Sequence, residues 1–269
     1  MLGSSRVSLT TLRASLDARR GDDGFASVSG DLLAVAGVLG DEKSLRQMLA
    51  DSGQPAAMRT GIATSLFEGK IAAPSLAVLT DVVGARWSSD ADLVDAIEQL
   101  GAQAAFSVAE TEGTLDRVED ELFTFSRAVD ESPELQLALT DPSVTAASKG
   151  ALVRDLVGGS AAPTTTALLA HAAGHLRGRR PAAAVEDLAR LASEQRRQVL
   201  AEVRSAIALD TEQSTRLAAA LTRLQGRQVR VNVIVDREVV GGIVVRVGDD
   251  VIDGSVSARL EQARRALSA

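Results

Sequence analysis

The chain contains no cysteine, no tyrosine, one tryptophan and five phenylalanines among its 269 residues. The missing thiols exclude disulfides, thiolate nucleophiles and zinc sites built on cysteine. Since aromatic side chains make up only 2% of the chain, the core has to be built from alanine, leucine and valine. This composition favours close-packed helices over a β-sandwich.

Basic surfaces and long apolar runs are also missing, and this excludes further classes of protein. The formal net charge is −7, and nucleic-acid-binding proteins normally carry a concentrated basic face. No apolar run approaches the 18 residues or so of a transmembrane helix. Residues 1–16 are interrupted by serine and arginine, so they do not resemble a signal peptide. We expect no nucleic-acid partner, and we expect any membrane association to come through partner proteins.

Most of the first 200 residues shows the period of amphipathic helices. Apolar residues recur at spacings of three and four, as at Leu32, Val35, Ala36 and Leu39. A later stripe comprises Leu93, Ile97, Leu100 and Ala104, and Asp90 or Asp92 is expected to cap its helix. Short polar stretches separate these segments. The pattern predicts a bundle of short helices.

An internal repeat is visible when the sequence is shifted by 90 positions. The matches fall on apolar stripe positions and on turn glycines, which define a packed helical unit. They pair Leu32 with Leu122, Leu45 with Leu135, Leu49 with Leu139, Asp51 with Asp141, Leu66 with Leu156, Gly69 with Gly159, Leu79 with Leu169 and Gly84 with Gly174. One inserted residue later, Val94, Ile97 and Leu100 match Val185, Leu188 and Leu191. We interpret this as a duplicated helical domain. Residues 92–129 are almost continuously helical in pattern, so copies that share or fuse helices there stay an open alternative.

From about residue 197 the apolar period changes from helical to alternating, which is typical of strands. Asp210 and Gln213 have the spacing of a capping box, Gly248 and Asp249 that of a hairpin turn, and Ser255 is expected to cap a last helix. The fold class is therefore mainly α, with tandem duplicated bundles and a small α+β domain at the C-terminal end. The predicted domains are residues 1–105 for the first copy, 106–196 for the second and 197–269 for the α+β domain.

The segment 240–260 carries a specific resemblance. In order, it contains Gly241 and Gly242, the Gly248 and Asp249 turn, the triplet Asp253, Gly254 and Ser255, and the pair Arg259 and Leu260. This order resembles the signature of the delta subunits of bacterial F-type ATP synthases, whose mitochondrial counterpart is the oligomycin-sensitivity-conferring protein. The helical copies resemble, by pattern, the N-terminal six-helix bundle of that family. Most members carry one bundle, and this chain resembles the longer delta subunits of actinobacteria.

The resemblance implies a mechanical function. In the family, the bundle binds the N-terminal helix of an alpha subunit on the catalytic head, and the C-terminal domain holds the membrane-anchored b subunits. The chain would then be a non-catalytic stator subunit at the cytoplasmic face of the cell membrane. Because only the second copy adjoins the C-terminal domain, we hypothesise that it binds alpha, through an apolar groove that includes Leu168 and Leu169. The first copy would brace the stalk.

Candidate chemical sites are weak in this sequence. His171 and His175 lie one helical turn apart, but no third ligand follows at a suitable spacing, so we favour partly buried or surface histidines over a metal pair. Asp249, Asp250 and Asp253 lack the spacing of a calcium loop, and no phosphate-binding glycine motif occurs. We expect no cofactor, no metal and no catalytic residue. The alternatives are a helical-repeat scaffold without a role in ATP synthase and, less favoured, an enzyme with its site between the domains.

Overall fold

The computed structural model describes residues 3–197, 199–225, 229–236, 239–247 and 250–254. The chain divides into two compact units, Met1–Arg196 and Arg197–Ala269. In the described residues the helices are α1 (Ser4–Ala18), α2 (Val28–Asp41), α3 (Lys43–Ala50), α4 (Ala56–Phe67), α5 (Ala73–Gly84), α6 (Asp90–Thr111), α7 (Leu115–Glu131), α8 (Pro133–Thr140), α9 (Ala146–Val157), α10 (Pro163–Gly174), α11 (Pro181–Arg197) and α12 (Thr211–Gln225). The strands are β1 (Val199–Ser205), β2 (Val229–Val235), β3 (Ile243–Val247) and β4 (Asp250–Asp253). The predicted fold class, mainly α with a small α+β region at the C-terminal end, is confirmed.

The helices of the first unit repeat along the chain. The bounds of α8, α9 and α10 lie 90 residues after those of α3, α4 and α5, at both ends of each helix. Leu45 and Leu135 occupy equivalent environments, since each is partly buried against the core of its own copy. The repeat seen in the sequence therefore corresponds to repeated helices in the fold.

The two copies also share a capping interaction. Glu121 on α7 accepts hydrogen bonds from the N–H of Ala162 at 2.9 Å and from the hydroxyl of Thr165 at 2.5 Å, at the start of α10. Asp31 on α2 accepts the equivalent pair of bonds at the start of α5. A carboxylate satisfies N–H groups that a helix N-terminus leaves unpaired and interacts favourably with the helix dipole. The duplication thus preserves polar detail as well as the apolar pattern.

Helix α6 belongs to both copies. The bounds of α1, shifted by 90, give residues 94–108, which lie inside α6. Its N-terminal half, including Ile97 and Leu100, packs into the first core cluster, and its C-terminal half, including Phe106 and Ala109, packs into the second. The first copy is therefore α1–α6 and the second copy is α6–α11. The expected division at 105/106 falls inside this continuous helix, because one helix closes one bundle and opens the next.

The second unit contains a four-stranded sheet in the order β2-β1-β3-β4. Strands β1 and β2 pair in parallel, with α12 between them along the chain, and β3 pairs antiparallel with both β1 and β4. The predicted capping box is present at the start of α12, where Asp210 Oδ1 accepts from the N–H of Gln213 at 2.7 Å and Gln213 Oε1 accepts from the N–H of Asp210 at 3.0 Å. Leu217 and Leu221 of α12 pack against the sheet.

Candidate partner-binding surfaces

The resemblance segment forms the β3–β4 pair of the second unit. Gly241 and Gly242, just before β3, have φ angles of 67° and 77°, in the left-handed region that favours glycine. Near the end of the described part of the segment, Asp253 lies opposite Val244, and the N–H of Gly254 donates to the carbonyl of Ile243 at 2.9 Å. Strand β3 therefore begins beside Gly254, the last described residue of the segment. These glycines serve the backbone rather than a phosphate.

Two stretches of the same segment, 248–249 and 255–260, lie outside the described residues. They contain five of the predicted signature residues: Gly248, Asp249, Ser255, Arg259 and Leu260. The strands that flank the predicted turn, β3 and β4, pair antiparallel with each other. The hairpin is therefore seen in its two strands, while its turn and the predicted last helix stay predictions.

Leu168 and Leu169 on α10 are enclosed by their own bundle. They are 2% and 1% exposed, and both belong to the core cluster of the second copy. The apolar stripe of α10 faces the bundle interior, so these side chains do not lie on an exposed surface in this structure. Their predicted contact with an alpha subunit stays a prediction. Leu168 does border a cavity of about 250 Å³ between α2, α6, α10 and α11.

Charged groups line this cavity and hold α6 to the end of α10. Arg177 Nη2 lies 2.5 Å from Asp95 Oδ1 and 2.6 Å from Glu98 Oε2, and Arg179 Nη2 lies 3.1 Å from Glu98 Oε2. His171 Nε2 lies 3.5 Å from Glu98 Oε1. Burial acts to raise the pKa of Glu98, but His171 and the two guanidinium groups together hold that pKa below its ordinary value. Glu98 is therefore a charged anchor for the shared helix.

The two histidines have a structural role in this region. Their rings stack with centroids 4.4 Å apart, and His175 Nδ1 lies 3.0 Å from the carbonyl oxygen of His171. The described part of the chain contains no group of three or more His, Cys, Asp or Glu side chains that could hold a metal ion. Nor is any helix of that part both long and apolar enough to cross a membrane.

Sequence reasoning missed several exposed apolar side chains on the first unit. Met58, Leu66, Phe123, Leu137 and Leu156 are between 36% and 72% exposed. A signal existed for Phe123, since it follows the core residue Leu122 directly and so lies outside the buried stripe of α7. Exposed apolar groups of this size are candidates for contacts with other proteins.

The family model for the ATP synthase delta (OSCP) subunit matches residues 97–267. This region covers the second copy and the second unit, including the β3–β4 segment. The chain belongs to this family. As a member it is a stator component of the peripheral stalk of an F-type ATP synthase, which resists rotation during proton-driven ATP synthesis.

Curated relatives match over the whole length, the first copy included. The ATP synthase subunit delta of Parafrankia is 41% identical and that of Streptomyces griseus 40% identical, each with 100% of both chains covered. That of Nocardia farcinica is 42% identical over 98% of this chain and 97% of its own. A chain of the Toxoplasma gondii mitochondrial ATP synthase hexamer is 29% identical over 62% of this chain and 95% of its own, with a TM-score of 0.27. The long actinobacterial form is confirmed, and the alternative of an unrelated scaffold is not supported.

Proposed function

We propose that the chain, without catalysing a reaction, links the catalytic head of the synthase to the b subunits of its stalk. The second copy binds the N-terminal helix of an alpha subunit, and the second unit holds the b subunits at the cytoplasmic face of the membrane. The observation that carries this assignment is the extent of the family match, which begins at residue 97 inside α6 and runs to residue 267. It therefore includes one bundle and the unit that follows it.

The contact with alpha is assigned to the second copy as a whole rather than to Leu168 and Leu169. Both side chains are enclosed in the bundle, so a partner helix reaches them only if the helices around α10 move apart. In place of direct contact, they support α10 from inside. Substitutions at these leucines are therefore expected to act on stability first.

The non-catalytic part of the proposal is tested by nucleotide binding. Phosphate-binding and metal-holding motifs are missing from the sequence, so isothermal titration calorimetry of the full chain with ATP and Mg²⁺ is expected to show no binding at micromolar concentration. A micromolar dissociation constant for ATP would contradict this part of the proposal.

The first copy is proposed to brace the stalk, and the shared helix defines how to test this. A truncation before Asp90 removes α1–α5 and keeps α6 intact, so the second copy retains all of its helices. We expect this variant to bind a peptide of the alpha N-terminal helix within about threefold of the full chain, and to show weakened attachment or rigidity of the stalk in the assembled enzyme. A matched variant cut after residue 111 removes α6 as well and is expected to lose peptide binding.

The same two variants can contradict the assignment. If the truncation before Asp90 abolishes peptide binding while circular dichroism shows a folded second copy, the first copy is the alpha-binding one. Circular dichroism is needed because this truncation uncovers Leu93, Val94 and Ile97, which are fully buried in the full chain. Co-purification with alpha and b subunits tests the stator role itself.

A further inference from the structure

One face of the first copy is covered by the second copy. The covering element is the corner 175–180 between α10 and α11, with the sequence His-Leu-Arg-Gly-Arg-Arg. A Cβ atom added to Gly37 of α2 would lie 2.9 Å from His175 Nε2, and Leu33 of α2 is buried in the second core cluster. The basic corner 175–180 therefore packs on the face formed by α2 and α6, and Leu33 makes the apolar contact of this face.

Charge holds this corner in place. Arg177 has a φ angle of 49°, which is uncommon for a residue other than glycine, and its side chain bridges Asp95 and Glu98 of α6. A backbone conformation of this kind persists when surrounding contacts determine it. The contact thus combines acidic groups on the face, cationic groups on the corner and a leucine between them.

In the described part of the first unit, the equivalent face of the second copy is exposed. Shifting by 90 along α2 replaces Leu33 with Phe123 and Gly37 with Arg127. Shifting by 91 along α6 replaces Asp95 with Glu186 and Glu98 with Ala189, so one of the two acids is kept. Phe123 is 60% exposed, whereas Leu33 is 7% exposed. Arg127 and Glu186 are exposed as well. We name the surface formed by Phe123, Arg127, Asp130 and Glu186 the open face.

The surroundings of the open face are acidic. Helix α7 exposes the acids Asp116, Asp120, Asp130 and Glu131 and the bases Arg117 and Arg127. Both arginines already form ion pairs within the helix, Arg117 with Glu121 at 2.7 Å and Arg127 with Glu131 at 3.3 Å. Asp116 pairs with Arg196 of α11 at 3.5 Å. The exposed acids Asp120, Asp130 and Glu186 still give the surroundings of the exposed Phe123 ring a net negative charge. Such a surface is complementary to a partner segment that carries cationic side chains and one apolar anchor.

We propose that the open face binds a basic amphipathic segment of another subunit of the synthase, in the way that the corner 175–180 covers the first copy. Two observations carry this proposal: the acidic surroundings of Phe123 and the contact already made at the equivalent face, of whose two acids the open face keeps one. It rests on the proposed function, because the partner is expected within the same complex. The corner 175–180 approaches α2 closely at Gly37, but the equivalent position of α7 is occupied by Arg127. A partner segment therefore cannot approach α7 as closely at that position, and it lies over Phe123 instead.

Site-specific photo-crosslinking in the assembled enzyme tests the proposal. Benzoylphenylalanine is introduced at Phe123 and, as a control, at Leu137, an apolar residue of the same copy that is 72% exposed on α8. After irradiation of the purified complex, mass spectrometry identifies the attached peptide. We expect position 123, and not position 137, to crosslink to a lysine- or arginine-rich segment of another subunit.

Charge reversal tests the acidic contribution separately. The double variant Asp130→Lys with Glu186→Lys is expected to lower the crosslink yield from position 123 about fivefold or more at physiological salt, where charges separated by up to about 8 Å interact. Asp155→Lys, an exposed acid of α9 in the same copy, is the matched control and should leave the yield unchanged. Raising the salt to about 1 M should lower the yield of the parent toward that of the double variant.

The outcomes separate this inference from the proposed function. If the chain fails to co-purify with the complex, the proposed function fails. If it co-purifies and position 123 gives no crosslink, or crosslinks to an acidic segment or to residues 197–269 of the same chain, the inference is refuted and the proposed function stands. If neither the charge reversal nor the higher salt concentration changes the crosslink yield from position 123, the inference is also refuted.

Discussion

Replacing Arg59 by methionine is expected to destabilise the first copy strongly, although the position is not conspicuous in the sequence. Arg59 is 3% exposed, and its guanidinium donates to the carbonyl oxygens of Leu49 at 3.3 Å, Gly84 at 3.2 Å and Ala85 at 3.1 Å, as well as to that of Val83. Helix ends leave such carbonyls without intrahelical partners. Arg59 thus closes the C-terminal end of α5 and ties it to α3.

The magnitude follows from what methionine leaves behind. The substitution keeps the aliphatic length and removes every donor, and each buried acceptor left unpaired costs roughly 1–3 kcal/mol. Water reaching the outermost carbonyls and the relief of a buried charge offset part of this cost. We therefore expect a loss of about 3 kcal/mol in the free energy of unfolding, which is a large fraction of the stability of a typical domain.

The chain offers its own probe and its own control. Trp87, the single tryptophan, is 5% exposed, belongs to the first core cluster and follows the capped carbonyls directly, so its fluorescence during urea unfolding reports on this region. Lys149 takes the place of Arg59 in the second copy and is half-buried. Lys149→Met should change the stability by less than about 0.5 kcal/mol, as substitutions outside the core usually do. Its unfolding is followed by circular dichroism, because Trp87 lies in the first copy.

Two results would refute this reasoning. A loss below about 1 kcal/mol for Arg59→Met would mean that water or a rearranged α5 satisfies the carbonyls. An equal loss for Lys149→Met would mean that both copies use this position alike. Arg59→Lys should fall between the parent and Arg59→Met, because an ammonium group donates but lacks the planar fork.

Three further substitutions test the duplication and the shared helix. Gly37→Ala should lower the melting temperature relative to Gly30→Ala on the same helix, because a Cβ at position 37 meets His175 at 2.9 Å and one at position 30 meets nothing within 4 Å. Glu121→Ala should cost about 1 kcal/mol at neutral pH by removing a helix cap. Burial acts to raise the pKa of Glu121, but hydrogen bonds and an ion pair hold that pKa below its ordinary value. The stabilisation by Glu121 is therefore lost as the pH falls through the pKa of the folded state. The Ala variant should lose less stability on acidification than the parent. Glu98→Ala should cost about 2–3 kcal/mol, measured by thermal unfolding, because it leaves two guanidinium groups and an imidazole without their carboxylate.

The sequence predicted much of the fold because its signals are local and repeated. The sequence matches itself at a shift of 90 residues without a gap from residue 32 to 84. The bounds of α3–α5 and of α8–α10 differ by the same 90 residues at both ends of each helix. The spacing of Asp210 and Gln213 predicts a capping box, and the structure contains both of its hydrogen bonds. Local hydrogen bonds of this kind depend on nearest neighbours in the chain and need no knowledge of the tertiary packing.

One local feature was predicted at the wrong residue: the helix expected to be capped by Asp90 or Asp92 is capped by Ser89, whose Oγ accepts from the N–H of Asp92 at 3.1 Å. Other features depend on packing between distant residues and could not be predicted. Leu168 and Leu169 have the pattern of a partner-binding stripe, and only the fold shows that this stripe faces the bundle. The roles of Arg59 and Glu98 likewise come from contacts with groups 10 to 81 residues away in the chain.

The shared helix has a mechanical consequence for a subunit that must withstand torque. At 22 residues and about 1.5 Å per residue, α6 is a rod about 33 Å long, hydrogen-bonded throughout and embedded in both bundles. Tandem domains are usually joined by a linker, which bends under load before either domain does. Here a load applied to one bundle reaches the next through the axis of a single helix, so the pair should deform elastically as one beam. Inserting a few glycines near residue 101 would convert that beam into a hinge.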